Sequence, residues 1–136
     1  MHNEREDRLR VLVADDNNEL RDRIVELLHP VFEIVAVVST GRALVDAAVA
    51  LEPDVIVSDL MMPSLTGAEA LAKLRAAGYR IPFVLQTATR GNAQAWLDMG
   101  ALCVVDKIDL PSDLVTAVES AAVGKVFLSR SVPQAR

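Results

Sequence analysis

Five times along this chain a short apolar run is followed within a few residues by apolar positions at helical spacing, and that alternation admits few folds. Arg10 to Ala14 (RVLVA), Phe32 to Val38, Val55 to Val57 leading to Asp59, Ile81 to Gln86 (IPFVLQ) and Ala101 to Val105 read as strands, rich in β-branched residues and bounded by turn residues. Leu20, Ile24, Leu27 and Leu28 share one helical face that Pro30 closes. Leu44, Ala48 and Leu51 mark a second helix behind Thr40 and Gly41. Thr66 with Glu69 three residues on is a capping box that opens a third, carrying Ala70, Leu71 and Leu74 and stopping at Gly78. A turn at Thr89 to Gly91 leads to a fourth helix with Ala93, Trp96 and Leu97, closed by Gly100. The last carries Leu114, Val118 and Ala122, with Pro111 in its first turn and Gly124 just past its end. The expected fold is α/β: a doubly wound, five-stranded parallel sheet in flavodoxin-like order 2-1-3-4-5, with five helices on two faces and right-handed crossovers.

That topology has a chemical consequence. Parallel strands point their carboxyl ends the same way, so Asp15, Asp16, Asp59, Thr87 and Lys107, each just past a strand, must gather at one edge. Three carboxylates held together repel one another unless a cation sits among them. Oxygen ligands without a Cys/His cluster favour a hard ion such as Mg²⁺ over zinc. Lys107 adds a fixed positive charge and Thr87 a hydroxyl. A cation, an ammonium and a hydroxyl around a carboxylate nucleophile are what phosphoryl transfer requires, so Asp59 is expected to attack phosphorus and become an aspartyl phosphate.

Composition narrows the setting. At 136 residues and 14.7 kDa the chain is one domain able to bury a core without disulfides. The apolar runs are too short to span a membrane, the opening MHNEREDR is no export signal, and the lone Cys103 fits a reducing cytoplasm, so a cytoplasmic location is expected. A net charge of −5 argues against direct nucleic-acid binding. His2, in the charged tail, and His29, ahead of a proline, lack partners that suggest catalysis.

The acidic pair Asp15 and Asp16, the run DLMMPSLTG from Asp59 to Gly67, Thr87 followed by Ala88, the Gly100 and Ala101 pair, and Lys107 together resemble the receiver domain of two-component response regulators. The resemblance spans about residues 9–124, leaving 1–8 as a charged tail and 125–136 as a tail or linker remnant. It implies that Asp59 is the phosphoacceptor, that Asp15 and Asp16 hold Mg²⁺ with Asp59 and the Met61 backbone carbonyl, that Thr87 is the switch hydroxyl and that Lys107 pairs with the phosphoryl group. It implies phosphorelay signalling from a sensor histidine kinase or phosphotransfer protein and a phosphorylation-dependent change in partner binding or in self-association, a homodimer being one form, with no enzymatic turnover of another substrate. Two positions depart from the pattern: Ile108 follows the lysine where proline is common, and Val104 stands where an aromatic switch is common. The ending GKVFLS (Gly124 to Ser129) is similar to receivers that carry a helix-turn-helix output domain, so a fragment of a DNA-binding regulator is one alternative. A pseudo-receiver that binds partners without phosphorylation is another. A haloacid-dehalogenase-type phosphatase fits less well, because Met61 stands where its second aspartate would be, and a flavin carrier would need a phosphate loop where Asp15 and Asp16 repel phosphate.

Overall fold

The computed structural model describes residues 8–88 and 93–133. Strands β1 (Arg10–Ala14), β2 (Glu33–Val38), β3 (Val55–Asp59), β4 (Phe83–Thr87) and β5 (Cys103–Asp106) alternate with helices α1 (Asn18–Leu28), α2 (Gly41–Leu51), α3 (Gly67–Ala76), α4 (Ala93–Asp98) and α5 (Leu110–Ala122). All strand pairings are parallel, in the order β2-β1-β3-β4-β5 extended by a sixth strand, β6 (Phe127–Leu128). The strand starts fall one or two residues later than expected at Phe32, Ile81 and Ala101. The proposed turn at Thr89 to Gly91 and the tail holding His2 lie outside the described residues.

The period-two alternation of the strands sorts the core into two layers. Val11, Val13, Val55, Val57, Val84, Cys103 and Val105 face α1 and α5, where Ile24, Leu28, Leu114 and Val118 complete one cluster. Leu12, Ala14, Ile56, Phe83 and Leu85 face the other way, onto Leu44, Ala48, Ala70, Leu71 and Leu74 of α2 and α3. Because both faces are covered, the central strands are buried throughout and their polar residues appear only at their carboxyl ends.

The helix starts follow from local chemistry. Asn17, Thr40 and Thr66 cap α1, α2 and α3 by accepting from the main-chain N–H groups of Leu20, Ala43 and Glu69, and Glu69 returns a bond to the Thr66 N–H to complete the capping box. Gly67 has a steric reason to be glycine: a Cβ there would lie 2.1 Å from the Asp59 carbonyl oxygen and 2.9 Å from Ser58 Oγ. The start of α3 is thereby seated directly against the end of β3.

The sheet corrects the expectation of five strands. Phe127 and Leu128 pair with Cys103 and Val104, and the segment beyond is latched to the start of α5. Asp109, 4% exposed, accepts from Ser129 Oγ at 2.7 Å, Ser131 N at 2.7 Å and Ser131 Oγ at 2.9 Å. Ser129 Oγ accepts in turn from Asp106 N, and Asp113 accepts from Arg130 N. Val132 is buried with Ala93 and Val104 beside Trp96 and Leu97. A two-residue strand has no periodicity to read, and the polar latch that fixes it joins residues about twenty positions apart.

The latch makes a pH prediction. Burial works to raise the Asp109 pKa, but the bonds from Ser129 and Ser131 and the charge of Arg130 outweigh it and hold it below the ordinary 3.8. A depressed carboxyl stabilises the fold above the unfolded-state value and loses that contribution as pH falls through the folded-state value. Asp109→Ala should therefore lower Tm by its full amount at neutral pH. The difference from the parent should shrink below about pH 4, as thermal melts across pH 2 to 7 would record.

Candidate functional site

The site is built at the carboxyl edge of β1, β3, β4 and β5. Asp15 follows β1 directly and is fully buried, with its main-chain N–H bonded to the Val38 carbonyl at 3.0 Å. Its Oδ1 accepts from Asn17 N at 2.8 Å and its Oδ2 from Gln86 Nε2 at 2.9 Å. Asp16, one residue on, is exposed. Asp59 is the last residue of β3 and 4% exposed; its Oδ1 accepts from Met61 N at 3.2 Å and its Oδ2 pairs with Lys107 Nζ at 3.1 Å. Ser58 Oγ donates to the Asp59 carbonyl at 2.9 Å, bracing the strand end. Thr87 ends β4 at 3% exposure, one residue past the partner of Asp59 in the strand register. Lys107 begins a single 3₁₀ turn, Lys107–Asp109, that Asp106 caps by accepting from Ile108 N at 3.0 Å.

The three carboxylates come together as the topology requires: one oxygen each of Asp15, Asp16 and Asp59 lies within 4.8 Å of the others. Two unit charges that close repel by roughly 3 kcal/mol at an effective dielectric near 20, more than an ordinary hydrogen bond returns. Lys107 offsets one of the three. Burial raises the Asp15 pKa, and the charges of Asp59 and Asp16 push the same way, against the Asn17 N–H and Lys107. The donor set is oxygen only, excess negative and partly buried, which fits a hard divalent cation.

Two contributors were not expected from sequence. Gln86 stands in what reads as an apolar strand, and its bond to Asp15 joins residues 71 apart in the chain. Gly67 reads as a helix opener, and its role in admitting the Asp59 carbonyl depends on packing between elements. The aromatic-switch position is filled by Val104, buried with Ala93 and Val132. Ile108 and Met61, both largely exposed, form apolar neighbours to Lys107 and Asp59 in the chain.

Comparison with known proteins gives a consistent picture. A family model described as the response regulator receiver domain matches residues 11–119. The nitrate/nitrite response regulator protein homolog of Haemophilus influenzae is 35% identical over 131 residues, covering 93% of this chain and 63% of that protein. Protein-glutamate methylesterase/protein-glutamine glutaminase 2 of Anaeromyxobacter dehalogenans is 36% identical over 110 residues, 78% of this chain and 32% of that protein. The chain thus spans less than two thirds of these relatives' length. Among solved structures, a two-component response regulator of the LuxR family from Aurantimonas superposes with a TM-score of 0.85 at 26% identity, covering 92% of each chain. The signal receiver domain of NarL from Mycobacterium tuberculosis does so with 0.82 at 28% identity, covering 87% of this chain and 98% of that one.

Charge crowding predicts an unusual mutational sign. Asp15→Asn removes a buried like charge while its amide oxygen keeps the Asn17 bond, and the Gln86 amide can rotate to accept from the new NH₂ group. Without divalent cations the variant should be more stable than the parent by about 1 kcal/mol, a Tm rise of roughly 3–6 °C. Mg²⁺, which should raise the parent's Tm, should leave the variant's unchanged; differential scanning calorimetry with and without Mg²⁺ checks both.

Proposed function

The chain belongs to the response regulator receiver family, and from that premise we propose that it is a phosphorelay switch in which Asp59 accepts a phosphoryl group from a phosphohistidine of a sensor histidine kinase or phosphotransfer protein. One observation carries this reading: the Asp59 carboxylate, fixed at the end of a buried strand, has Lys107 on one oxygen and the Met61 N–H on the other, beside the two further carboxylates.

Each residue has a physical task. A carboxylate oxygen of Asp59 attacks phosphorus as the P–N bond of the phosphohistidine breaks; the electron pair stays on the imidazole, which takes up a proton from solvent. The Met61 N–H and the Asp59 main chain, braced by Ser58 and by the close approach of Gly67, hold the nucleophile in line. Lys107 neutralises charge that grows on the phosphoryl oxygens, and the Thr87 hydroxyl donates to one of them. Asp15, Asp16, Asp59 and the Met61 backbone carbonyl would hold Mg²⁺, which when bound supplies the remaining charge neutralisation on the transferring group.

Switching follows from where these groups are rooted. Thr87 closes β4 ahead of the segment leading to α4, and Lys107 opens the turn that runs into α5. A phosphoryl group that draws both inward favours a second arrangement of α4, β5 and α5 by the difference in its interaction with the two states. We read the output as a change in partner binding or homodimerisation on that face, with the protein acting in the cytoplasm. The net charge of −5 disfavours duplex DNA binding by this chain itself, although relatives include a DNA-binding response regulator of the LuxR family from Staphylococcus aureus.

The test separates labelling from switching. With a small phosphoryl donor and Mg²⁺, the parent should take up one phosphoryl group by intact mass, shift Trp96 fluorescence and change its sedimentation. Asp59→Asn should do none of these. Thr87→Ala and Lys107→Ala should still be labelled, with Lys107→Ala slower by roughly 10²-fold, yet keep the resting fluorescence and sedimentation. Fluorescence and sedimentation changes equal to the parent's in both variants would contradict their assigned roles.

A further inference from the structure

Gln86 is the feature of the site that the phosphoacceptor chemistry leaves unexplained. It is completely buried in β4, between Leu85 and Thr87, and stands opposite Asp59 in the strand register. Its main-chain carbonyl accepts from Leu60 N at 3.0 Å, which ties it to the residue after the phosphoacceptor. Its side-chain Nε2 donates to Asp15 Oδ2 at 2.9 Å, and its Oε1, equally buried, finds no hydrogen-bond partner among the described residues. The amide orientation is dictated by chemistry, since the reverse would place two acceptors, Oε1 and the Asp15 carboxylate, against each other.

A core filler explains none of this. An apolar side chain would fill the space but leave the buried Asp15 Oδ2 without its donor, and the amide that supplies this donor carries a second buried polar atom that is destabilising unless a further donor reaches it. The Nε2 bond leaves Asp15 little freedom to rotate, because Oδ1 is already held by Asn17 N on the other side. Two fixed bonds on one carboxylate, and a buried, unpartnered acceptor on the same amide that makes one of them, are the pattern by which an outer residue orients a metal ligand and its waters.

We propose that Gln86 is a positioning residue of the cation site: its Nε2 fixes the Asp15 carboxylate for Mg²⁺, and its Oε1 accepts from a water carried by the bound ion. This rests on the reading of Asp15 as a cation ligand and adds a residue to it. Gln86 touches neither the phosphoryl group nor the nucleophile; it acts through Asp15.

The experiment uses Mg²⁺ alone, with no phosphoryl donor. Calorimetric titration of the parent and of Gln86→Met, which matches the shape of glutamine without its donor and acceptor, should show Mg²⁺ bound about 10-fold more weakly by the variant, the range expected for loss of an outer ligand partner. In the parent, the side-chain NH₂ resonances of Gln86, assigned by isotope-edited NMR, should shift on Mg²⁺ addition with the calorimetric midpoint. Affinity in Gln86→Met within about twofold of the parent overturns the proposal. If that variant fails to fold, the parent's resonances decide alone: NH₂ signals unmoved at Mg²⁺ saturation overturn it as well. A parent that binds no Mg²⁺ at all brings down the cation reading and this role together, whereas a parent that binds it normally beside an unaffected Gln86→Met removes only the role of Gln86.

Discussion

Like-charge crowding at one sheet edge is the constraint on which this structure turns. A parallel sheet with both faces covered cannot disperse the residues that end its strands, and here the strand ends deliver Asp15, Asp16 and Asp59 to within 4.8 Å of one another. Hydrophobic packing of the valine and leucine layers holds them there against their repulsion. The stability gained in the core is what lets the edge remain electrostatically crowded.

The strain is managed by specific partners. Lys107 takes one oxygen of Asp59 and the Met61 N–H the other, while Asn17 and Gln86 hold Asp15 from both sides. Lys107 and Asp109 are the two ends of a single 3₁₀ turn, so the group paired with Asp59 and the group that latches the segment after β6 share one short piece of backbone. The same latch seats Val132 against Ala93 and Val104.

Most of the fold was legible because its signals are local or periodic. The β-branched runs, the helical spacing of Leu20, Ile24 and Leu28, and the Thr66 and Glu69 capping box each depend on residues within a few positions of one another, and the structure contains the elements they imply. The gathering of Asp15, Asp16, Asp59, Thr87 and Lys107 was legible one step further on, because parallel topology alone places strand ends together. β6 was not, since two residues carry no period and its latch depends on Asp109, whose position in the sequence suggests only a helix start. Gln86 was not legible either: within IPFVLQ it reads as the polar end of an apolar strand, and its meaning comes from a partner on β1's far end, 71 residues away.

If this edge serves to make Asp59 a phosphoryl acceptor, reductive trapping reveals it at the atom concerned. Borohydride reduces an aspartyl phosphate to homoserine but leaves free carboxylates untouched, so the chain is treated with a small phosphoryl donor and Mg²⁺, reduced, digested and mapped by mass spectrometry. The expected product is homoserine at position 59 and at no other aspartate, lost when Mg²⁺ is chelated. Unmodified Asp59 under saturating donor and Mg²⁺, or conversion at another aspartate such as Asp15 or Asp54, would contradict it.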